Sequence, residues 1–181
     1  MTKHTHITVV GSQPLDFDLA LCKRLGPMIV AGNSHKNTVF EYATANSEQH
    51  VQDMLNSPSF RDTRIVVNER LYKKYIFFDP LDCVPNFPAV NSMDLSSAEL
   101  SEQSLALLLA CWLDIEHILL LGYDIENLTE RARLLSIGST HPHNKIVYVR
   151  KPNPNKIFLF DKYPNMSVTD YKKLSEVNKR G

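Results

Sequence analysis

Two rhythms of apolar and polar positions alternate along this chain. Short β-branched runs end on Gly or Asn, and longer stretches carry apolar residues three and four positions apart. Ile7-Thr8-Val9-Val10-Gly11 opens the first series. Met28-Ile29-Val30-Ala31, Arg64-Ile65-Val66-Val67-Asn68, Ile118-Leu119-Leu120-Leu121-Gly122 and Ile146-Val147-Tyr148-Val149 continue it. Such runs predict buried strands. Tyr75-Ile76-Phe77-Phe78 and Lys156-Ile157-Phe158-Leu159-Phe160 read as two more. Between them, Leu15, Leu19, Cys22 and Leu25 share one helical face, closed by Gly26-Pro27. A helix is expected from Thr38 to Leu55, with a break near Asn46-Ser47. The most apolar helix runs from about Ala98 to Trp112, behind a Ser96-x-x-Glu99 capping box. Its Leu105, Leu108, Leu109 and Trp112 are expected to be buried. Further helices are expected over Leu128–Leu135 and Thr169–Lys179.

Strands that alternate with helices pair in parallel, because parallel neighbours need crossover connections. The expected class is therefore α/β, a Rossmann-like and largely parallel central sheet flanked by helices. The strands over 146–149 and 156–160, separated by Arg150 to Asn155, allow a terminal β-hairpin. A length of 181 residues fits one domain over residues 1–181 and a core large enough to fold without metal or disulfide. Net charge is zero and no basic stripe appears, which argues against a nucleic-acid partner. Cys22, Cys83 and Cys111 have neither zinc-site nor CxxC spacing, so a reducing, cytoplasmic setting is expected. The longest apolar run, Leu105 to Leu113, is too short to span a bilayer, so no transmembrane segment is expected. A homo-oligomer remains compatible with all of this.

In an open parallel sheet, the loops after the strands lie on one edge, and ligands bind there. Gly11-Ser12-Gln13-Pro14 is such a loop. A helix following it would turn backbone N–H groups toward an anion, and Ser12 adds a hydroxyl. It matches neither GxGxxG nor a Walker A sequence, and a plain turn is the competing reading. Asn33 and Asn68 each follow a strand. An amide suits ribose hydroxyls or a pyrimidine edge, and it also suits a turn. Asp124, just past Gly122, is placed to take a ribose hydroxyl, a metal or a base, or to cap the next helix. His141 and His143 precede a strand and carry the side chain best suited to proton transfer near neutral pH. No acidic residue stands near them in sequence, so no metal site is assigned. Neither Gly-x-Ser-x-Gly nor HExxH occurs.

The stretch from Ser101 to Asp124 runs from a serine-containing helix start through an apolar helix to a strand ending in Gly122-Tyr123-Asp124. It resembles the helix–strand segment of the small bacterial sialyltransferases and of the related MptE-like pterin pyrophosphokinases. Val9-Val10-Gly11-Ser12-Gln13-Pro14 is similar to their nucleotide-binding turn. Asn33 and Asn68 resemble asparagines that contact the cytidine nucleotide in the sialyltransferases. The likeness runs in pieces from about His6 to Leu128. It implies a nucleotide-sugar-dependent glycosyltransferase whose nucleotide is held by Gly11, Ser12, Gln13, Asn33, Asn68, Ser101, Ser104 and Asp124. His141 or His143 would accept the proton of the acceptor hydroxyl. The alternative is a nucleotide-binding or assembly protein that keeps the fold without the chemistry. A third reading, pyrophosphoryl transfer, would need Mg²⁺ and carboxylates such as Asp124 and Asp79.

Overall fold

The computed structural model describes residues 5–15, 18–32, 35, 38–75, 81–83, 100–123, 127–150 and 164–177. Among them, eight strands form one open sheet: β1 (His6–Val10), β2 (Met28–Ala31), β3 (Tyr42–Ala45), β4 (Arg64–Val67), β5 (Leu81–Cys83), β6 (His117–Leu121), β7 (Lys145–Arg150) and β8 (Asn165–Ser167). Their order is β5-β4-β3-β2-β1-β6-β7-β8, and every neighbouring pair is parallel. The architecture is thus α/β and Rossmann-like. The chain builds outward from β1 to β5, then returns to lay β6 against the other side of β1. The strand order reverses between β1 and β6, the position at which open α/β sheets take ligands.

Among the described residues, five α-helices cover the sheet: α1 (Glu48–Leu55), α2 (Glu69–Tyr75), α3 (Glu102–Trp112), α4 (Leu128–Thr140) and α5 (Val168–Val177). Because strand side chains alternate, β1 sends Ile7 and Val9 into one core and Val10 into the other. The first core holds α3 and α4, with Leu105, Leu108, Leu134 and Ile137 against Ile29, Ile118 and Leu120. The second gathers Leu19, Cys22, Val51, Met54, Leu71 and Tyr171 against Val30, Ile65 and Leu119. α3 is buried without a break from Ser104 to Cys111, since the sheet covers one side and α4 another. Burial raises the Cys22 thiol to about 11 and the Cys111 thiol to about 12. Both are inert apolar fillers.

Several expectations change. Thr38–Leu55 is not one helix: Tyr42–Ala45 is β3, and the helix starts only after Ser47, whose hydroxyl accepts the His50 N–H at 3.2 Å. Ala43 and Ala45 are fully buried, so tertiary packing overrides the helical propensity of alanine. Tyr75 ends α2 instead of opening a strand. Leu71 and Tyr75, one turn apart, both face the core. The helix foreseen after the first turn is a 3-10 segment, Leu19–Arg24, capped by the Asp18 side chain on the Ala20 N–H. Trp112 is 54% exposed, because it occupies the last position of α3, past the cover that buries the rest. The Ser96–Glu99 capping box lies outside the described residues, and Ser101 caps α3. As for the terminal hairpin, β7 has parallel neighbours on both sides, β6 and β8. The second hairpin strand, 156–160, lies outside the described residues.

Candidate functional site

The carboxyl edge of the sheet is defined by the residues that leave β1, β2, β3, β4 and β6. Gly11 N donates to the Leu121 carbonyl at 2.7 Å, and Gln13 N donates to the Gly122 carbonyl at 2.9 Å. The β1 loop is therefore laced to the end of β6 across the reversal point. A β-carbon on Gly11 would overlap the Gly122 carbonyl oxygen and stand 2.7 Å from Gln103 Oε1. Glycine is required there by close approach, not by its own φ. Ser12, Gln13 and Pro14 are exposed. The N–H and hydroxyl of Ser12 have no partner among the described residues. The following 3-10 helix does not supply the anion site expected from sequence, because Asp18 already caps it.

The helix end that does reach this edge is that of α3, which crosses back over β1, β2 and β3. Its first residue, Glu102, turns its carboxylate onto the ends of β2 and β3. Oε1 accepts from His50 Nδ1 at 2.5 Å and from the Asn46 N–H at 3.2 Å. Thr44 Oγ1 donates to the Glu102 carbonyl at 2.8 Å. His35, one turn past β2, donates from Nε2 to the Gly11 carbonyl at 3.1 Å. A carbonyl can only accept, so in the neutral ring the lone pair of His35 lies on Nδ1.

Ser101 and Ser104 also lie at this edge, but their hydroxyls point inward. Both donate to Glu130 Oε1, Ser104 at 2.7 Å. Glu130 is 6% exposed and sits in the first turn of α4, whose cap Asn127 accepts from the N–H groups of Thr129 and Glu130. Its carboxylate thus bridges two helix N-termini, where the partial positive charge of both favours it. Burial and the Glu130 charge hold the Tyr123 phenol well above its ordinary range, so it serves as a donor, to the Gln103 carbonyl at 3.0 Å. Asn68 follows β4 at the same edge but is enclosed, at 1% exposure. Its Oδ1 accepts the Leu71 N–H at 3.0 Å and caps α2, while its buried Nδ2 has no partner among the described residues. Asn33, Asp124 and Asp79 lie outside the described residues.

No family model, curated protein or solved structure matches this chain. Its candidate site therefore rests on its own geometry.

The structure does not bring His141 and His143 to the carboxyl edge. They lie between the end of α4 and the start of β7, hence at the amino edge. His143 Nε2 stands 3.6 Å from Asp114, in the turn before β6, and Asn144 Nδ2 donates to the Ile115 carbonyl at 2.9 Å. Among the described residues no three His, Cys, Asp or Glu side chains gather closely enough to hold a metal ion. No described helix is long and apolar enough to cross a membrane.

The same amino edge holds a stacked pair, His6 and His117, with ring centroids 4.7 Å apart. Thr5 Oγ1 meets His6 Nδ1 at 2.8 Å, and His117 Nδ1 donates to the Thr5 carbonyl at 3.3 Å. Glu116, paired with Lys145 at 2.5 Å, lies beside them. Burial, and then the neighbouring His117, hold His6 below its ordinary value of 6.5, while Glu116 pulls weakly the other way. A folded-state pKa below the unfolded one means that the unfolded chain binds the proton more readily. His6 therefore contributes stability that is present above pH 6.5 and is lost as pH falls through the folded-state value. His6→Gln is expected to flatten the fall of the urea midpoint between neutral pH and about pH 5. An unchanged pH profile in that variant would show that the pair is not the source.

Proposed function

We propose that this chain binds a nucleotide at the carboxyl edge of its sheet and uses a nucleotide sugar as glycosyl donor, the sialyltransferase-like reading. The observation that supports it is the packing of Gly11 against Gln103, in the first turn of α3, at the β1–β6 reversal, with the exposed Ser12 next along the loop. Ser12 offers an N–H and a hydroxyl to phosphate oxygens, and neither has a partner among the described residues. In transfer, the proton of the acceptor hydroxyl goes to a histidine at this edge. His35 is the histidine tied to the phosphate loop. In this reading His141 and His143 take no part.

One observation favours the second reading, a nucleotide-binding or assembly protein without chemistry. The Ser101 and Ser104 hydroxyls, expected to hold the nucleotide, are committed to internal hydrogen bonds, and Asn68, expected to do the same, is enclosed with its Oδ1 capping α2. Both readings predict binding. Thermal unfolding with CMP, CDP, GDP and nucleotide sugars tests them together. A ligand at 100 times its Kd stabilises the fold by about 2.7 kcal/mol, which raises Tm by about 5–10 °C in a chain of this size. No shift with any of them at millimolar concentration would remove both readings. Release of free nucleotide from a sugar donor would separate the first from the second.

A further inference from the structure

We infer that Glu102 forms a ribose subsite in this crevice, accepting hydrogen bonds from the vicinal hydroxyls of a ribonucleotide. The inference rests on the nucleotide reading above and adds a selectivity to it. Glu102 is held at both ends. Its carbonyl takes the Thr44 hydroxyl, and its Oε1 takes the His50 ring and the Asn46 N–H. These bonds fix the carboxylate plane and leave Oε2 without a hydrogen-bond partner among the described residues. Oε2 lies against Gly32, where a β-carbon would stand 2.5 Å away. Gly32 also has a φ of +73°, so any other residue there would be strained as well as obstructive. That oxygen thus fills the space a side chain on Gly32 would take, at the end of β2.

The chemistry of that oxygen selects its partner. A carboxylate only accepts, and a sugar diol presents hydroxyl donors. A phosphate in the same place would be repelled, which assigns the phosphates to Ser12. Neighbouring strands are about 4.8 Å apart, so the ends of β2 and β3 lie one to two spacings from the β1 loop. That is the separation between the 5′-phosphate and the 2′,3′-hydroxyls of one nucleotide. Doubly wound sheets commonly place an acidic side chain on a ribose hydroxyl from the strand end itself. Here β2 ends in glycine, and α3 supplies the carboxylate from across the chain. Asn46 and His50 act as positioning residues.

Calorimetric Kd values for CMP, CDP and GDP against their 2′-deoxy counterparts test this on the unaltered protein. A hydrogen bond to a charged group predicts about 10–100-fold weaker binding of the deoxy ligand. In Glu102→Ala that ratio should collapse toward one. A purely structural role for the His50–Glu102 pair would weaken both ligands together and leave the ratio intact. Equal binding of ribo and deoxy forms by the wild type, or an unchanged ratio in Glu102→Ala, overturns the inference while nucleotide binding stands. Failure of every nucleotide to bind overturns the nucleotide reading and this one with it.

Discussion

Tyr171→Ala is expected to destabilise the fold by about 3–5 kcal/mol, the range for removing a large aromatic side chain from a packed core. Tyr171 is fully buried. It projects from α5 into the core face that also holds Cys22 and Val10. Its hydroxyl meets Thr8 Oγ1, in the centre of β1, at 3.0 Å. Burial raises the phenol far above its usual range, so it stays protonated and keeps this bond. Tyr171→Phe keeps the ring and removes the hydroxyl, with its bonds to the buried Thr8 and to Cys22. The expected cost is then about 1–3 kcal/mol. Urea unfolding of both variants measures the two terms separately. A midpoint for Tyr171→Ala close to that of the wild type would show that α5 does not seal this core.

Much of this fold was legible in sequence, for a physical reason. β1, β2, β4, β6 and β7 are buried on both faces, so each appears as an unbroken β-branched or aliphatic run. β3 leaves no such mark, because its core-facing residues are Ala43 and Ala45, which carry no strand signature by themselves. α2 was masked by the aromatic cluster that starts at Tyr72. The edge at which the candidate residues lie was also legible, because parallel connectivity puts every strand-to-helix loop at one end. The same rule places helix-to-strand loops at the other end. It sets His141 and His143, candidates by residue type alone, at the amino edge. The Glu102–His50 and His35–Gly11 contacts join residues 52 and 24 positions apart. No local pattern encodes them. Nor does sequence show that Ser101 and Ser104 are consumed by Glu130, a partner on the next helix.

His35→Gln is expected to lower nucleotide release from a sugar donor by about 10²–10⁴-fold, with nucleotide Kd little changed, the usual loss when a positioned proton acceptor is removed. Glutamine can still donate to the Gly11 carbonyl and hold the loop, but it offers no basic nitrogen where Nδ1 lay. His141→Gln and His143→Gln should leave release unchanged, since both lie at the opposite edge of the sheet. Steady-state assays of the three variants, beside calorimetric Kd values, give the comparison. If His141→Gln or His143→Gln abolishes release while His35→Gln does not, the chemistry lies at the amino edge.

A backbone amide NMR titration with CDP or GDP locates the ligand on the sheet. Saturable shifts are expected only at the carboxyl edge, at Ser12, Gln13, Gly32, Asn46 and His50, with Glu116, His117, His143 and Lys145 unmoved. Saturable shifts centred on the latter group, with the Ser12 and Gly32 amides unchanged, would contradict it.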